Sequence, residues 1–501
     1  MKHLIYILVF AFAFESNAYS QMIDADYILG GTIERRPDFI SEKTGGSTYR
    51  LSFDFGESVL MNQSAIRMIS SEQIIRIDFV YSRFKETSEF DQRALNTKRI
   101  DALMKAAPFI FYNTSIDWHV IEIAAKPSKE ENEKLFHGFV IYARPTLRLE
   151  DGKLVASSKP LKEGYEARIL TTELKKLDCY RIEKQMKVRK KKSKGVWTGN
   201  YLPKSYAKRK KGVRYDSKSI WGRQKEYLHN DYQDSVLVDV SVPDTSCACL
   251  KDKKTATSKT DIPLSFYGYR FDKPEDYEVE EPVTSGVSFV NTVVVDTIVG
   301  TVLNRNKSWK KIFIVEDVTG SMYPYTMQTL AWRKLNDKAT RASQFVFFND
   351  GDQKPDGPIG RSGGAYYAGS RDNAVIEKAC TTTMSKGGGG QGPENNIEAL
   401  IFAQSQNKEA AEIVMIADNW APVRDLSLLD QLTVPVHIIL CGAIHGNINV
   451  DYLNIALATG GSVHTIEEDF VALSKMTEGE VLSIGKQKYK IKDGRFALVR
   501  N

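Results

Sequence analysis

The chain is expected to fold as an α/β protein in which a doubly wound, mostly parallel sheet follows an α+β domain of unrecognised fold. Two observations predict the sheet. Short apolar, β-branched runs recur at Lys311–Val315, Gln344–Phe348, Ile413–Ala417, Val434–Leu440 and Ser462–Ile466, each reading as a strand buried on both faces. Segments with helical spacing lie between them: Ser321–Asn336, Asn373–Met384, Glu394–Ser405 and Asp451–Thr459. Within the first of these, Met322, Tyr325, Met327, Leu330, Ala331 and Leu335 recur at roughly helical intervals. A third observation places a site. Asp317, Thr319 and Ser321 follow the first apolar run directly, so one carboxylate and two hydroxyls emerge past the C-terminal end of a strand. In an open α/β sheet that is where ligands bind. Hard oxygens without sulfur or imidazole suit magnesium, manganese or calcium rather than zinc.

Over about residues 309–470 the chain resembles a von Willebrand factor A domain. The resemblance rests on Asp317-Val318-Thr319-Gly320-Ser321, the turn Gly387 to Glu394, the strand end Ile416-Ala417-Asp418 and the late Ala458-Thr459-Gly460-Gly461-Ser462. It implies a metal-ion-dependent adhesion site built by three loops. Asp317, Thr319 and Ser321 would come from the first loop, Glu394 from the second and Asp418 from the third. Gln391 stands where a related branch carries an aspartate, which speaks against a second ion beside the first. Magnesium is the first expectation for the bound ion, with calcium or manganese as alternatives. Pro393 suits the first helical position, which would put Glu394 in the first turn of an Asn395–Ser405 helix.

The same pentapeptide also resembles the nucleophile loop of haloacid-dehalogenase-type phosphotransferases, in which Asp317 would attack phosphorus beside a magnesium ion. The acidic pair of Asn349-Asp350-Gly351-Asp352 comes too early in the chain for that fold, and the Pro393-Glu394 turn has no place in it. Ser321 lacks a G-x-S-x-G elbow, because Thr319 stands where the first glycine is needed. Residues Asp350 to Asp356 lack the closing glutamate of a calcium loop and read as an acidic surface turn. His437 lies in an apolar strand and reads as a core histidine.

A length of 501 residues predicts roughly three domains of about 150. Leu4–Phe14, an unbroken apolar core behind Lys2, reads as a secretory signal ending near residue 20 and too short to span a bilayer. The expected location is therefore secreted, periplasmic or associated with the cell envelope. Residues 22–175 read as the α+β domain, with strands at Tyr49–Phe55, Ile74–Tyr81, Trp118–Ala124 and Gly138–Ala143 and helices at Glu89–Ala107 and Ser128–Phe136.

Residues 184–225 hold 16 lysines and arginines against the single acid Asp216, which leaves 53 basic and 62 acidic residues elsewhere, a net of −9. This stretch, within 176–230, reads as a basic linker or solvated loop. Its Trp197, Tyr201, Tyr206, Tyr215 and Trp221 would suit nucleic acid. Export points instead to anionic polymers or lipid head groups. A β-rich segment, 231–308, contains the strand-like runs Ser235–Val242 and Val287–Leu303, and short hairpins around Gly485 and Asp493-Gly494 end the chain over 471–501. No later apolar run reaches the length of a membrane span. Of five cysteines, Cys380 and Cys441 read as small core residues, and a disulfide from Cys179 to Cys247 or Cys249 is open to the chain. The expected activity is binding, not catalysis, of a protein or envelope ligand that offers an acidic group to the cation.

Overall fold

The computed structural model describes residues 21–144 and 297–499, apart from 42–46, 63, 70–71, 84–89, 337–341, 353, 356, 388–392, 408–411, 444–446 and 486. From the intervening segment it describes the strands named below and a few helical residues. The signal-like Leu4–Phe14, Gln391 and the cysteines at 179, 247 and 249 lie outside the described residues. The chain divides into two compact units. One comprises Met1–Leu177, Phe266–Gly268 and Val287–Asn501, and the other Asp178–Ser265 and Tyr269–Gly286.

The first unit holds two sheets. Its N-terminal sheet contains β1 (Ile33–Arg36), β2 (Thr48–Ser52), β3 (Ile74–Ser82), β4 (Asp117–Ile123) and β5 (Gly138–Ala143), in the order β1-β4-β3-β5-β2. Strands β1, β4 and β3 run parallel, whereas β5 pairs antiparallel with both β3 and β2. Ile77 and Phe79 on β3 and Phe139 on β5 pack with Ile100 and Leu103 of the Gln92–Ala106 helix. Asp91 starts that helix by accepting a hydrogen bond from the Ala94 amide at 3.1 Å. A hairpin of β6 (Thr146–Glu150) and β7 (Lys153–Ser157) follows.

The basic segment does not read out as a loop. Five strands, β8 (Tyr180–Arg189), β9 (Val196–Pro203), β10 (Val213–Tyr215), β11 (Trp221–Glu226) and β12 (Asp234–Pro243), cover much of 180–243. β8 pairs with β12, and β10, β11 and β9 form an antiparallel ribbon. The linker expectation weighed charge and neglected the valines and aromatic residues between the charges, which favour strands. Ile298–Arg305, at the end of a run expected to be strand-like, is a helix with Ile298, Val299, Val302 and Leu303 buried at helical spacing.

The second sheet of the first unit contains β13 (Ile312–Asp317), β14 (Ala342–Phe348), β15 (Ala365–Gly369), β16 (Glu412–Asp418), β17 (Val436–Cys441), β18 (Ser462–His464) and β19 (Asp469–Phe470), in the order β15-β14-β13-β16-β17-β18-β19. The five strands β14-β13-β16-β17-β18 are parallel and the two edge strands antiparallel. The protein is thus an α/β protein with a mostly parallel main sheet, as its apolar runs predict. Its connections run outward from β13 to β14 on one side and, after the return to β16, outward through β17 and β18 on the other. The carboxyl ends of β13 and β16 therefore flank the point where the strand order reverses, the place where ligands bind in open α/β sheets. Three C-terminal strands, β20 (Val481–Ile484), β21 (Gln487–Lys492) and β22 (Arg495–Val499), turn at Gly485 and at Asp493-Gly494. Tyr489, Ile491, Phe496 and Leu498 join the same hydrophobic core as Leu453 and Leu440, so these hairpins complete the main sheet's packing. Among the described residues no helix is long and apolar enough to cross a membrane.

Candidate metal centre

Asp317 ends β13 and Asp418 ends β16, and those strands are neighbours in the sheet. Backbone pairing fixes the turns beyond them: the Val318 amide donates to Phe348 O at 2.9 Å and the Asn419 amide to Cys441 O at 3.0 Å. The chain then folds back so that the Thr319 amide donates to Asp317 Oδ1 at 2.8 Å, while the Trp420 and Ala421 amides donate to Asp418 Oδ1 at 2.9 and 3.1 Å. Each carboxylate thus spends one oxygen on its own loop and turns the other inward.

Glu394 arrives from the opposite direction. It is not in the first turn of a helix, as Pro393 led us to expect. The helix is Asn396–Gln406 with Asn395 as its cap residue, and Glu394 forms an isolated parallel bridge with Val423. Its amide donates to Pro422 O at 2.9 Å, and its carbonyl accepts from the Arg424 amide at 2.9 Å. Asp425 takes over the helix start, accepting from the Ile397 and Glu398 amides at 3.0 and 2.6 Å. With its backbone tied to the Asp418 loop, Glu394 delivers its carboxylate toward Asp317 and Asp418.

One oxygen from each of Asp317, Glu394 and Asp418 lies within 4.8 Å of the others, and this buried acidic cluster could hold a metal ion. The two hydroxyls expected in the site are there as well. Thr319 Oγ1 donates to Glu394 Oε1 at 3.3 Å and lies 3.3 Å from Ser321 Oγ, which donates to Asp418 Oδ2 at 2.5 Å. All five predicted residues are therefore brought together.

Their electrostatics are unfavourable as they stand. Burial raises the Asp317 carboxyl to about 7, against a hydrogen bond with Glu394 that pulls it down, and the charge of Asp418 adds to the rise. Burial pushes Glu394 well above the usual carboxylate range, with the charges of Asp317 and Asp418 acting in the same direction. Apart from one another, Asp317 Oδ2 and Glu394 Oε2 are buried with no hydrogen-bond partner among the described residues. A native protein seldom leaves buried acceptors unpaired without a reason. A divalent cation would pair both oxygens and offset the repulsion, and the donor set is all hard oxygen.

Other predicted features fall elsewhere. Asp350 is buried rather than on a surface turn; it accepts from the Asn395 amide at 3.2 Å and from the Asn395 side-chain amide, and is not one of the three clustered acids. Cys380 and Cys441 are buried, as core residues would be. His437 stacks on Trp309 at 5.1 Å between ring centres and shares a 2.6 Å hydrogen bond with Ser462 Oγ. Ser462, His464 and Asp469 also line up through two 2.6 Å contacts, in the manner of a hydrolase relay. Ser462 and His464 are only 3% and 0% exposed, however, and the same Ser462 Oγ is shared with His437, so the row reads as core hydrogen bonding.

Sequence reasoning missed four residues that shape the centre: Asp425, Trp420, Arg144 and Gln73. Arg144 sits 4.0 Å over the Trp420 ring, and Gln73 Nε2 donates to Asp418 Oδ2 at 3.0 Å across 345 positions of sequence. Only Asp425 carried a local signal, an acid beyond the Ile416-Ala417-Asp418 strand end. No protein-family model matches the chain, and neither a curated protein nor a solved structure matches it.

Proposed function

We propose that the chain is a von Willebrand factor A-type binding protein with a single divalent-cation adhesion site, acting outside the cytoplasm and without catalysis. The observation that carries this reading is the pair of orphaned, buried oxygens on Asp317 and Glu394 at the sheet's reversal point, opposite Asp418. Asp317, Glu394 and Asp418 would hold the ion directly or through water, and Thr319 and Ser321 would add neutral hydroxyl oxygens. Magnesium fits this compact donor set, with calcium and manganese as alternatives. The cation's remaining place would take a carboxylate from a protein or envelope ligand. The basic strands over 180–226 offer a second, salt-sensitive contact for anionic polymers or lipid head groups.

The experiment is a thermal unfolding titration of the full chain with magnesium, calcium and manganese, repeated with Asp317→Ala, and joined to a pull-down from envelope extract with magnesium or with chelator. Metal-dependent stabilisation that Asp317→Ala abolishes, together with metal-dependent capture, supports the reading. Melting indifferent to all three ions overturns it. A phosphatase assay on the same sample tests the phosphotransferase alternative, in which Asp317 would be the nucleophile and Glu394 irrelevant.

A further inference from the structure

We propose that Gln73, from the N-terminal sheet, is itself a ligand of the cation, so that the bound ion fastens the two sheets of the first unit together. This rests on the metal reading above. It begins with a contact which that reading does not need: Gln73 Nε2 lies 3.0 Å from Asp418 Oδ2, the same oxygen that takes the Ser321 hydroxyl. Gln73 is the residue before β3, and its carbonyl accepts from the Arg144 amide, beyond β5, at 2.8 Å. Two neighbouring strands of the N-terminal sheet thus present one amide and one guanidinium to the metal loops.

The seam around this contact is built, not incidental. Arg144 lies over Trp420 and donates from Nη1 to Ser321 O at 3.4 Å, touching the first and third metal loops together. Trp420 packs against Gly442, where a Cβ would fall 1.6 Å from an indole carbon and where φ is +70°, so glycine suits the position. Asn113 donates to Trp420 O. Thr114, fully buried, accepts from the Val450 amide at 2.9 Å and donates to Asn449 Oδ1 at 3.2 Å. A side chain held at a carboxylate by such a frame loses little entropy on binding an ion.

A glutamine amide carries a donor and an acceptor on one carbon. Facing a bare carboxylate it shows its nitrogen. A half-turn about its last bond shows Oε1 instead, a neutral hard oxygen suited to magnesium, manganese or calcium. Gln73 then occupies the place left for a carboxylate from outside, and an acidic ligand binds by displacing it.

Manganese binding to the full chain, followed by water-proton relaxation, tests the assignment, because relaxation per bound ion counts the waters on it. Gln73→Met keeps the volume of the side chain and removes its oxygen; Gln73→Glu keeps an oxygen. Gln73→Met is expected to weaken manganese binding about tenfold and to raise relaxation per bound ion by the share of one added water, while Gln73→Glu binds at least as tightly as the wild type. Equal affinity and equal relaxation for wild type and Gln73→Met overturn the assignment and leave the metal site standing. Should Gln73→Met fail to fold, a Gln73→Glu protein with wild-type affinity and water count supports the ligand, and one with weaker binding and an added water overturns it. A wild-type chain that binds no manganese removes the metal reading itself.

Discussion

Two aspartates, each at a strand of a parallel-centred sheet and each almost wholly buried, have opposite surroundings. Asp78 on β3 is fully engaged: Arg76 holds it from Nε at 2.7 Å and Nη2 at 3.1 Å, and the Tyr142 hydroxyl donates at 3.0 Å. Asp317 on β13 has one loop amide on one oxygen and, among the described residues, no basic partner, with the carboxyls of Glu394 and Asp418 close by. Burying a charge costs several kcal/mol unless it is paired and hydrogen-bonded. The first aspartate meets that cost within the chain, so it explains itself as structure. The second does not, and a cluster of this kind could hold a metal ion. A buried acid is informative through what its oxygens lack.

The comparison breaks if removing partners has the same effect at both places. The largest effect is expected at Asp78. Arg76→Ala leaves a buried charge unpaired and should cost about 3–5 kcal/mol in urea unfolding, whether magnesium is present or absent. A cost that magnesium changes would show that the two aspartates are not of different kinds.

Asp317→Asn should do the reverse. Without metal it replaces a buried acid that burial already drives toward its neutral form by a neutral amide, so the variant should melt no lower than the wild type. At a hundredfold excess of magnesium over its dissociation constant, the wild type should gain about 2.7 kcal/mol and the variant none. A variant that keeps the metal-dependent gain would place the ion elsewhere.

A half-buried base sharpens the contrast. Burial, followed by the nearby His464, lowers His437 to about 4, while Asp469 and Arg305 face His464 on its other side. The unfolded chain therefore binds more protons than the folded one between about pH 6.5 and 4, and stability falls as pH drops through that window. After allowing for its partial exposure, the loss should be about 2 kcal/mol. His437→Asn should flatten that part of the stability profile; an unchanged slope would assign the acid sensitivity to other groups. The smallest effect is expected for Glu394→Gln, which keeps an oxygen in place and should weaken magnesium about tenfold, or 1.4 kcal/mol, as read by calorimetric titration.

What could be read from the sequence follows the range of the forces. β13, β16 and β17 are legible because strands covered on both faces must be apolar throughout, and Asp317, Thr319 and Ser321 because one turn spaces them. β15, the edge strand Ala365–Gly369, carries no such run: its neighbours pair it on one side only. Ile298–Arg305 was hidden by β-branched residues that packing against the main sheet nonetheless holds in a helix, a case of tertiary context overriding propensity. Glu394 was identified by residue type, yet its position before the helix depends on Asp425 and the Val423 bridge. Gln73 and Arg144 left no trace, since nothing in the local chain says that β3 will begin, and β5 end, against a sheet formed hundreds of residues later.

Gln21 donates from Nε2 to Leu498 O at 3.1 Å and accepts from the Leu498 amide at 2.6 Å. The path of the backbone through the first unit is therefore nearly a closed ring, with its first and last described segments side by side on β22. A ring has no privileged opening. Joining residues 21 and 499 by a short flexible linker and cutting the chain within 251–286 should yield a circular permutant with the same two sheets, because neighbouring ends tolerate such exchange. The permutant would also draw Gln73 and Asp418, 345 positions apart in the natural order, onto one continuous stretch that no longer passes through the basic strands.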